Sequence, residues 1–594
     1  MCGLAGELRF DGRPADLDAV GRMTACLVHR GPDGEGVRAE GAAAFGHRRL
    51  AIIDLSPAGA QPMVDDETGA TIVFNGCIYN HHELRDELRR LGHVFRSASD
   101  TEVILKAWHE WGVGFVDRFR GMFAIAIHEH ASGRTVLVRD RLGIKPLYLD
   151  ERPGLLRFAS TPQALLAAGG VDTTVAREAL AAYMSFHSVV PAPRTILAGI
   201  TKLPPATVRV VEPDGTAADT VYWRPSFERR PADSGLSAED WQDALLEATR
   251  VAVERRMVAD VPVGVLLSGG FDSSLIVALL AELGQTDLAT YSIGFEDAGG
   301  EAGDEFSYSD LVAERFGTRH HRIPIATERL VPAIGGTVAA MSEPMVSHDC
   351  VAFYLLSQEV AKSIKVVQSG QGADEVLGGY EWYPPLADVG RVDATDAYAA
   401  AFVDRPWAEM ATWLNPAWLA ESDVPRAFLD AAFGAPGATT AVDAALRVDT
   451  TTMLVEDPVK RVDTMTMAWG LEGRVPFLDH ELVELAGRIP PELKLADGGK
   501  GVLKRASRGL VPDEVIDRTK GHFPVPAIRQ LDGAMLDLVR DALLDPAARR
   551  RDLFRRDTVD RLLADPNTER TTLGSNALWQ LGLLELWLQS NRIP

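Results

Sequence analysis

The stretch VPVGVLLSGGFDSSLIVALLAELG, Val261 to Gly284, decides the fold. Val261 to Leu267 reads as a buried parallel strand, and Ser274 to Leu283 sets Leu275, Ile276, Leu279, Leu280 and Leu283 at helical spacing. Between them lies the turn Ser268-Gly269-Gly270-Phe271-Asp272-Ser273. Glycines let a backbone approach an oxyanion closely, hydroxyls and amides donate to it, and a helix N-terminus favours negative charge. The turn is therefore a phosphate cradle, and Asp272 suits a Mg²⁺ that bridges phosphates. No lysine follows the glycines, so the loop does not fit the Walker pattern.

Working outward, the chain repeats strand and helix. Ala289 to Phe295 reads as a strand, a helix from Ser309 closes at Gly317, and a third strand lies near Arg322 to Ile325. Ile364 to Gln368 is a short buried strand that delivers Ser369-Gly370-Gln371-Gly372-Ala373-Asp374-Glu375 to the same sheet edge. This is a doubly wound α/β arrangement, and Asp374 can supply a second metal carboxylate facing Asp272. Upstream, Pro204-Pro205, Arg224-Pro225 and the run from Arg229 to Gly235 are rich in breakers, and a helix opens at Ser237 and runs to Asp260. Residues 1–210 and 237–594 are thus expected to be separate domains joined by 211–236. Beyond Asp532, apolar residues recur at helical spacing, as expected of packing helices. His320 and His321 have no partner at ligand spacing and read as a solvated pair.

At 594 residues the chain is long enough for two full cores. Its 61 basic and 84 acidic residues leave a formal charge of -23, which repels nucleic-acid backbones and argues against a nucleic-acid partner. Cys2, Cys26, Cys77 and Cys350 are too few and too scattered for a disulfide framework or a CxxC zinc site, which fits a reducing cytoplasm. No apolar run reaches membrane-spanning length, and no export signal opens the sequence.

The first 200 residues alternate strand-like runs, at Ala42 to Phe45, Thr71 to Phe74, Ala124 to His128 and Thr135 to Arg139, with helices at Glu83 to Leu91 and Thr101 to Trp111. Cys2 stands directly behind the initiator. With Met1 removed it would carry both a thiol and a free α-amine; the amine titrates at about 7.7–8.0, and so can take the thiol proton near neutral pH. Taken alone, Cys2 reads more readily as a small buried residue at a frayed terminus. Its company changes that reading: His29 to Gly34, His47 to Leu50, Asn75 to Asn80, Ser99 to Glu102 and Asp140 to Pro146 are polar clusters at element ends.

Together these residues resemble the glutaminase domain of the N-terminal-nucleophile amidotransferases fused to glutamine-hydrolysing asparagine synthetases. The resemblance implies an αββα sandwich in which Cys2 attacks the glutamine amide, and Asn75 and the Gly76 amide form the oxyanion hole. Arg49 would clamp the α-carboxylate, and Asp100 would hold the α-amine together with position 77, where Cys77 replaces the family's usual Glu. The strings SGGFDSS, SGQGADEVLGGY, MTMAWGLEGRVPFLDHELVE (Met465 to Glu484) and RTKGHFPVP (Arg518 to Pro526) resemble the ATP-pyrophosphatase domain of the same enzymes. By motif match Ser268, Gly269, Gly270, Asp272 and Ser273 hold pyrophosphate. Leu267 and Ile293 line the adenine site, with Gly370 and Gln371 beside the nucleotide. Lys520 offsets phosphate charge, and Asp272 and Asp374 hold Mg²⁺. ATP would be consumed to AMP and pyrophosphate through an acyl-adenylate.

Two departures bear on the acceptor: Gln371 stands where aspartate-using members have Glu, and Asp463-Thr464 where they have Asp-Arg. A neutral amide cannot pair with an ammonium as a carboxylate does. MSFHSVVPAPRTIL (Met184 to Leu197), MSEPMVSHDCVAFYLLSQEV (Met341 to Val360) and GGYEWYPP (Gly378 to Pro385) look most like the N-acetylglutaminylglutamine amidotransferase branch, which implies a blocked dipeptide acceptor and a role in osmoprotection. Other readings are an aspartate-using asparagine synthase, a β-lactam-synthetase-like cyclase and a non-catalytic stress-response scaffold. Oligomeric state is left open, with a homodimer among the options.

Overall fold

The computed structural model describes residues 2–297, 302–519, 521, 525 and 529–594. Two antiparallel six-stranded sheets build the first part. One runs Thr201–Lys202, Tyr148–Arg152, Leu155–Ala159, Gly3–Arg9, Ala43–Arg49, Gly34–Glu40 in spatial order. The other runs Ala217–Val221, Thr207–Val211, Thr135–Arg139, Gly121–Glu129, Ala70–Ile78, Met63–Asp65. The strand Gly121–Glu129 shows why they stack. Ala124 and Ala126 join Leu4, Phe45 and Phe158 of the other sheet in one core, while Phe123, Ile125 and Ile127 pack outward against the helix Asp100–Trp111. Both faces are covered, so an apolar stretch unbroken by polar residues is what such a strand needs. Gly6 makes room within its own sheet: a Cβ there would lie 2.2 Å from the ring of Phe158, its partner on the adjacent strand. Helices Leu17–Cys26 and Arg177–Ser185 cover the outer face of the first sheet, completing the αββα sandwich.

The second part is built on a five-stranded parallel sheet in the order Arg319–Ile325, Ala289–Phe295, Val263–Leu266, Val366–Gln368, Glu472–Arg474. The expected doubly wound arrangement is present, with the phosphate-cradle strand at its centre. The helix after it, Phe271–Glu282, is apolar all round and buried nearly throughout, as a helix packed on several sides must be. The expected strand over Ala289 to Phe295 has those bounds, whereas Glu472–Arg474 at the sheet edge was not foreseen: three residues carry no readable alternation.

The helix expected over Ser237 to Asp260 starts as read, with a capping box between Ser237 and Asp240, but ends at Arg255. Beyond it the chain turns to meet the first part. The Asp260 amide donates to the Ile52 carbonyl at 2.9 Å, and the Asp260 carboxylate accepts from the Asp54 amide at 2.7 Å. Within 211–236 the strand Ala217–Val221 pairs with Thr207–Val211 and extends the second sheet. The two parts share a buried apolar cluster that takes in Leu50, Ile52, Met122 and Ile144 from one and Val265, Leu267, Phe271 and Met467 from the other. Buried charges cross the same boundary. Asp463 receives Arg30 at 2.9 Å and Lys145 at 3.1 Å, and Lys202 reaches Glu343 at 2.9 Å and Glu456 at 2.7 Å. The clusters at His29 to Gly34 and Asp140 to Pro146 thus serve the contact between the parts. Among the described residues no helix is long and apolar enough to cross a membrane.

Candidate active sites

The first strand, Gly3–Arg9, carries Cys2 at its start beside the strand Ala70–Ile78. The Cys2 backbone nitrogen donates to Asn75 Oδ1 at 2.9 Å, and the thiol lies 4.0 Å from the Leu50 carbonyl. Asn75 is fully buried, and its Nδ2 has no hydrogen-bond partner among the described residues. An orphaned buried donor is costly unless a ligand oxygen comes to meet it. Position 76 admits only glycine, because a Cβ would lie 2.1 Å from the Met122 carbonyl oxygen. Burial pushes the Cys2 thiol up, so at neutral pH it keeps its proton until a base removes it.

In front of Cys2 opens a cavity of about 380 Å³, mouth included, lined among others by Arg49, Gly76, Cys77, Asp100, Glu472 and Arg474. Of the residues expected from the glutaminase motif, Cys2, Arg49, Gly76, Cys77 and Asp100 line this cavity, and Asn75 holds the Cys2 nitrogen. The Arg49 guanidinium is held in its wall by the carbonyls of Ser56 at 2.9 Å, Ile53 at 3.4 Å and Asp54. Asp100 opens the helix Asp100–Trp111 behind the cap Ser99 and accepts from the Ile78 amide at 3.1 Å. Burial raises its carboxyl to about 6, against the Ile78 amide and with help from the charge of Glu472. Cys77 is buried and lies 3.8 Å from Arg474 Nη2.

This carboxyl makes a pH prediction. Asp100 faces Glu472, Cys77 and, more distantly, Arg85. Its folded value lies above the unfolded one, so it is a neutral acid below about pH 6 and an anion above. If it holds the ammonium of a zwitterionic amino acid, kcat/KM for that substrate should fall by up to about tenfold per pH unit as pH drops through 6. Asp100→Asn should remove that limb along with most of the affinity; an unchanged acid limb in the variant would contradict the assignment.

The second site lies at the carboxyl edge of the parallel sheet. Gly269 sits at φ +80°, and a Cβ there would lie 2.9 Å from the Ser309 amide nitrogen. Gly270 caps the helix Phe271–Glu282 with no side-chain hydrogen bond to the first-turn amides. Ser268 Oγ accepts from the Gly270 amide at 3.2 Å and meets Ser273 Oγ at 3.2 Å, which holds the loop open as an amide-lined nest. From the neighbouring strand comes Gly370, where a Cβ would lie 2.9 Å from that of Asp272. Leu267 and Ile293 are buried beneath the loop, and Gln371 is half-buried at the turn before Ala373. Lys500 joins the two acids: its Nζ lies 2.8 Å from Asp272 Oδ2 and 3.0 Å from Asp374 Oδ1. Burial works against its charge, but the two carboxylates more than offset that and hold it protonated. Lys520 lies outside the described residues.

Sequence reading missed Lys500, which stands in the Gly-rich run Asp497-Gly498-Gly499-Lys500-Gly501 and looks like a loop cation. It also missed the dyad in which Tyr380 donates to Glu375 Oε1 at 2.6 Å, whose carboxyl burial raises to about 7. Glu472 and Arg474, far down the chain from Cys77, were missed as well. Lys504 and Arg505 engage Asp497 at the surface, and His320, expected to be solvated, is instead held by Thr290 at 2.9 Å. Among the described residues no group of three or more metal-ligating side chains occurs.

A thiol beside an orphaned amide in an αββα sandwich, next to a phosphate nest on a parallel sheet, defines an amidotransferase joined to a nucleotide-dependent ligase. Comparison with known proteins agrees. The glutamine amidotransferase domain family matches residues 1–223, and the asparagine synthase family matches residues 244–589. Asparagine synthetase [glutamine-hydrolyzing] 1 of Bacillus subtilis is 31% identical, over 100% of this chain and 97% of its own length. Asparagine synthetase [glutamine-hydrolyzing] 3 of the same organism is 32% identical over 88% and 87%. Asparagine synthetase B [glutamine-hydrolyzing] of Escherichia coli is 28% identical over 88% and 82%. The chain belongs to the glutamine-hydrolysing asparagine synthetase family, ATP-dependent ligases that take an amide nitrogen from glutamine.

Proposed function

We propose that this chain amidates a carboxylic acid in two coupled steps, in a glutaminase unit (1–210) and a ligase unit (237–594) joined by 211–236. One observation carries the reading: the parallel sheet that gathers Asp272, Asp374 and Lys500 at its phosphate edge also sends its last strand into the wall of the Cys2 cavity. With Met1 removed, the nitrogen now bonded to Asn75 Oδ1 becomes a primary amine, positioned to take the Cys2 proton. The sulfur attacks the glutamine side-chain carbonyl, Asn75 Nδ2 and the Gly76 amide stabilise the oxyanion, ammonia leaves, and water later frees glutamate. Arg49 holds the α-carboxylate, with Asp100 and the neighbourhood of Cys77 at the α-amine.

In the second unit the acceptor carboxylate attacks the α-phosphate of ATP and pyrophosphate departs. Ser268, Gly269, Gly270, Asp272 and Ser273 cradle it, Lys500 and Lys520 offset its charge, and Leu267, Ile293, Gly370 and Gln371 surround the nucleotide. The donor set fits Mg²⁺: two hard carboxylate oxygens, from Asp272 and Asp374, converge on one ammonium. When bound there, Mg²⁺ would neutralise phosphate charge. Ammonia then displaces AMP from the acyl-adenylate. In water it would mostly protonate, and the shared apolar cluster from Leu50 to Phe271 supports a dry internal route.

For the acceptor we favour an N-acetylated glutaminyl dipeptide. Gln371 is neutral, and the acid Asp463 is already engaged by Arg30 and Lys145, which suits an acceptor without an ammonium. The names of the relatives favour a second reading, aspartate to asparagine. Turnover of both acids with glutamine and MgATP, read by mass spectrometry, decides: a preference for acetylated diglutamine supports the first reading, and a preference for aspartate overturns it.

A further inference from the structure

We propose that Glu472, carried on the ligase sheet, is the second anionic holder of the glutamine ammonium, so that the glutaminase cavity is complete only when the ligase unit closes it. The inference rests on the glutaminase reading given above and adds a residue to it. The cavity wall contains two carboxylates, Asp100 from the first unit and Glu472 from the second. Cys77, which faces both carboxylates, offers them a neutral thiol, kept protonated by burial. Arg49 stands in the same wall, so the cavity pairs anions with a cation, as a zwitterionic amino acid requires. The orphaned Nδ2 of Asn75, fully buried beside Cys2, shows independently that this space is built to receive a ligand oxygen.

Glu472 is placed with care. Arg474, fully buried, donates to its Oε1 at 2.6 Å through Nε and anchors Nη1 on the carbonyls of Arg256 at 2.7 Å and Val258 at 2.8 Å. Arg474 thus ties the carboxylate to the scaffold of the ligase unit. The same strand pairs Glu472 with Val366, one strand away from the phosphate cradle. Burial works against the charge of Glu472, yet the charge of the chain's amino terminus, followed by Arg474 and Lys145, holds its carboxyl at about 2, so it stays an anion across the working range. Its charge and that of Asp100 oppose each other in a buried place, and a substrate ammonium between them relieves that opposition. Glu472 acts here as a substrate-binding residue: it touches the amine end of the substrate and not the reacting amide.

The test compares glutamine with glutaramate, the same side-chain amide and carboxylate without the α-amine, by ammonia release from the full-length protein. Glu472→Gln should raise KM for glutamine by about 10- to 100-fold, the worth of one charge-assisted hydrogen bond, with kcat changed much less. The preference for glutamine over glutaramate in kcat/KM should shrink by the same factor, and MgATP affinity should stay within about twofold. An unchanged preference overturns the proposal, as does a fall in kcat alone, which would place Glu472 at the nucleophile. Should Glu472→Gln also lose MgATP binding, Glu472→Asp replaces it: a carboxylate drawn back by one methylene must raise KM and reduce the preference partway, and wild-type values would overturn the proposal. If the wild type released no ammonia from glutamine, the glutaminase reading and this one would fall together. If Cys2→Ala abolishes release while both Glu472 variants behave as wild type, only this one falls.

Discussion

Cys2→Ala is expected to lower glutamine-driven amide formation by about three orders of magnitude or more, while synthesis from added ammonium salts continues at the wild-type rate. The expectation follows from the separation of the parts. Among the described residues the hydrogen-bond partners of Cys2 are Asn75, Leu50 and Arg30, all of the first part, whereas Asp272 and Asp374 meet Lys500 in the second. Removing the sulfur deletes the nucleophile without opening a large void, since alanine keeps the Cβ at a nearly closed site. The reading would fail if the variant lost ammonia-driven synthesis as well, with its fold intact, because the two chemistries would then share one centre.

Asp272→Asn should abolish both activities, by at least about 100-fold each, since an enzyme that transfers phosphoryl or adenylyl groups draws most of its rate from charge stabilisation at the phosphates. Asp272 shares Lys500 with Asp374, so the amide would leave that ammonium with one anion where it now has two. Magnesium affinity should fall in parallel, readable by calorimetric titration with MgATP. Retention of ammonia-driven synthesis by Asp272→Asn would remove the phosphate loop from the reaction. Lys500→Ala supplies a check with the opposite charge: pyrophosphate release should drop while the two acids remain.

Much of this was legible in the chain because local chemistry is written in consecutive residues. The turn Ser268 to Ser273 combines glycine, hydroxyl and carboxylate between an apolar strand and an apolar helix, and it folds as that combination dictates. Asn75 and Gly76 were named through the family resemblance, and the close approach to the Met122 carbonyl at position 76 admits no side chain. What stayed hidden is what the tertiary structure assembles from afar. Glu472 and Arg474 reach the Cys2 cavity because a three-residue edge strand happens to abut the other unit, and no spacing in the sequence encodes that. Lys500 meets Asp272 and Asp374 from more than a hundred residues downstream, at a glycine-rich turn where it adopts φ +58°. The end of the helix at Arg255 was misjudged for the same reason: the contacts of Asp260 with Ile52 and Asp54 override local helical preference. Strand Ala217–Val221 is exposed at every residue and shows no apolar alternation, so its sequence reads as a connector although its backbone pairs with Thr207–Val211.

The most direct test of the whole is an isotope competition. The enzyme is given glutamine labelled with ¹⁵N at the side-chain amide, MgATP, the acceptor acid and an excess of unlabelled ammonium, and the amide product is weighed by mass spectrometry. Internal transfer through the shared apolar interior predicts a product that keeps the glutamine label nearly undiluted, with AMP and pyrophosphate formed in equal amounts. A product whose label is diluted to the composition of the bulk ammonium, or one accompanied by ADP and phosphate, would contradict it.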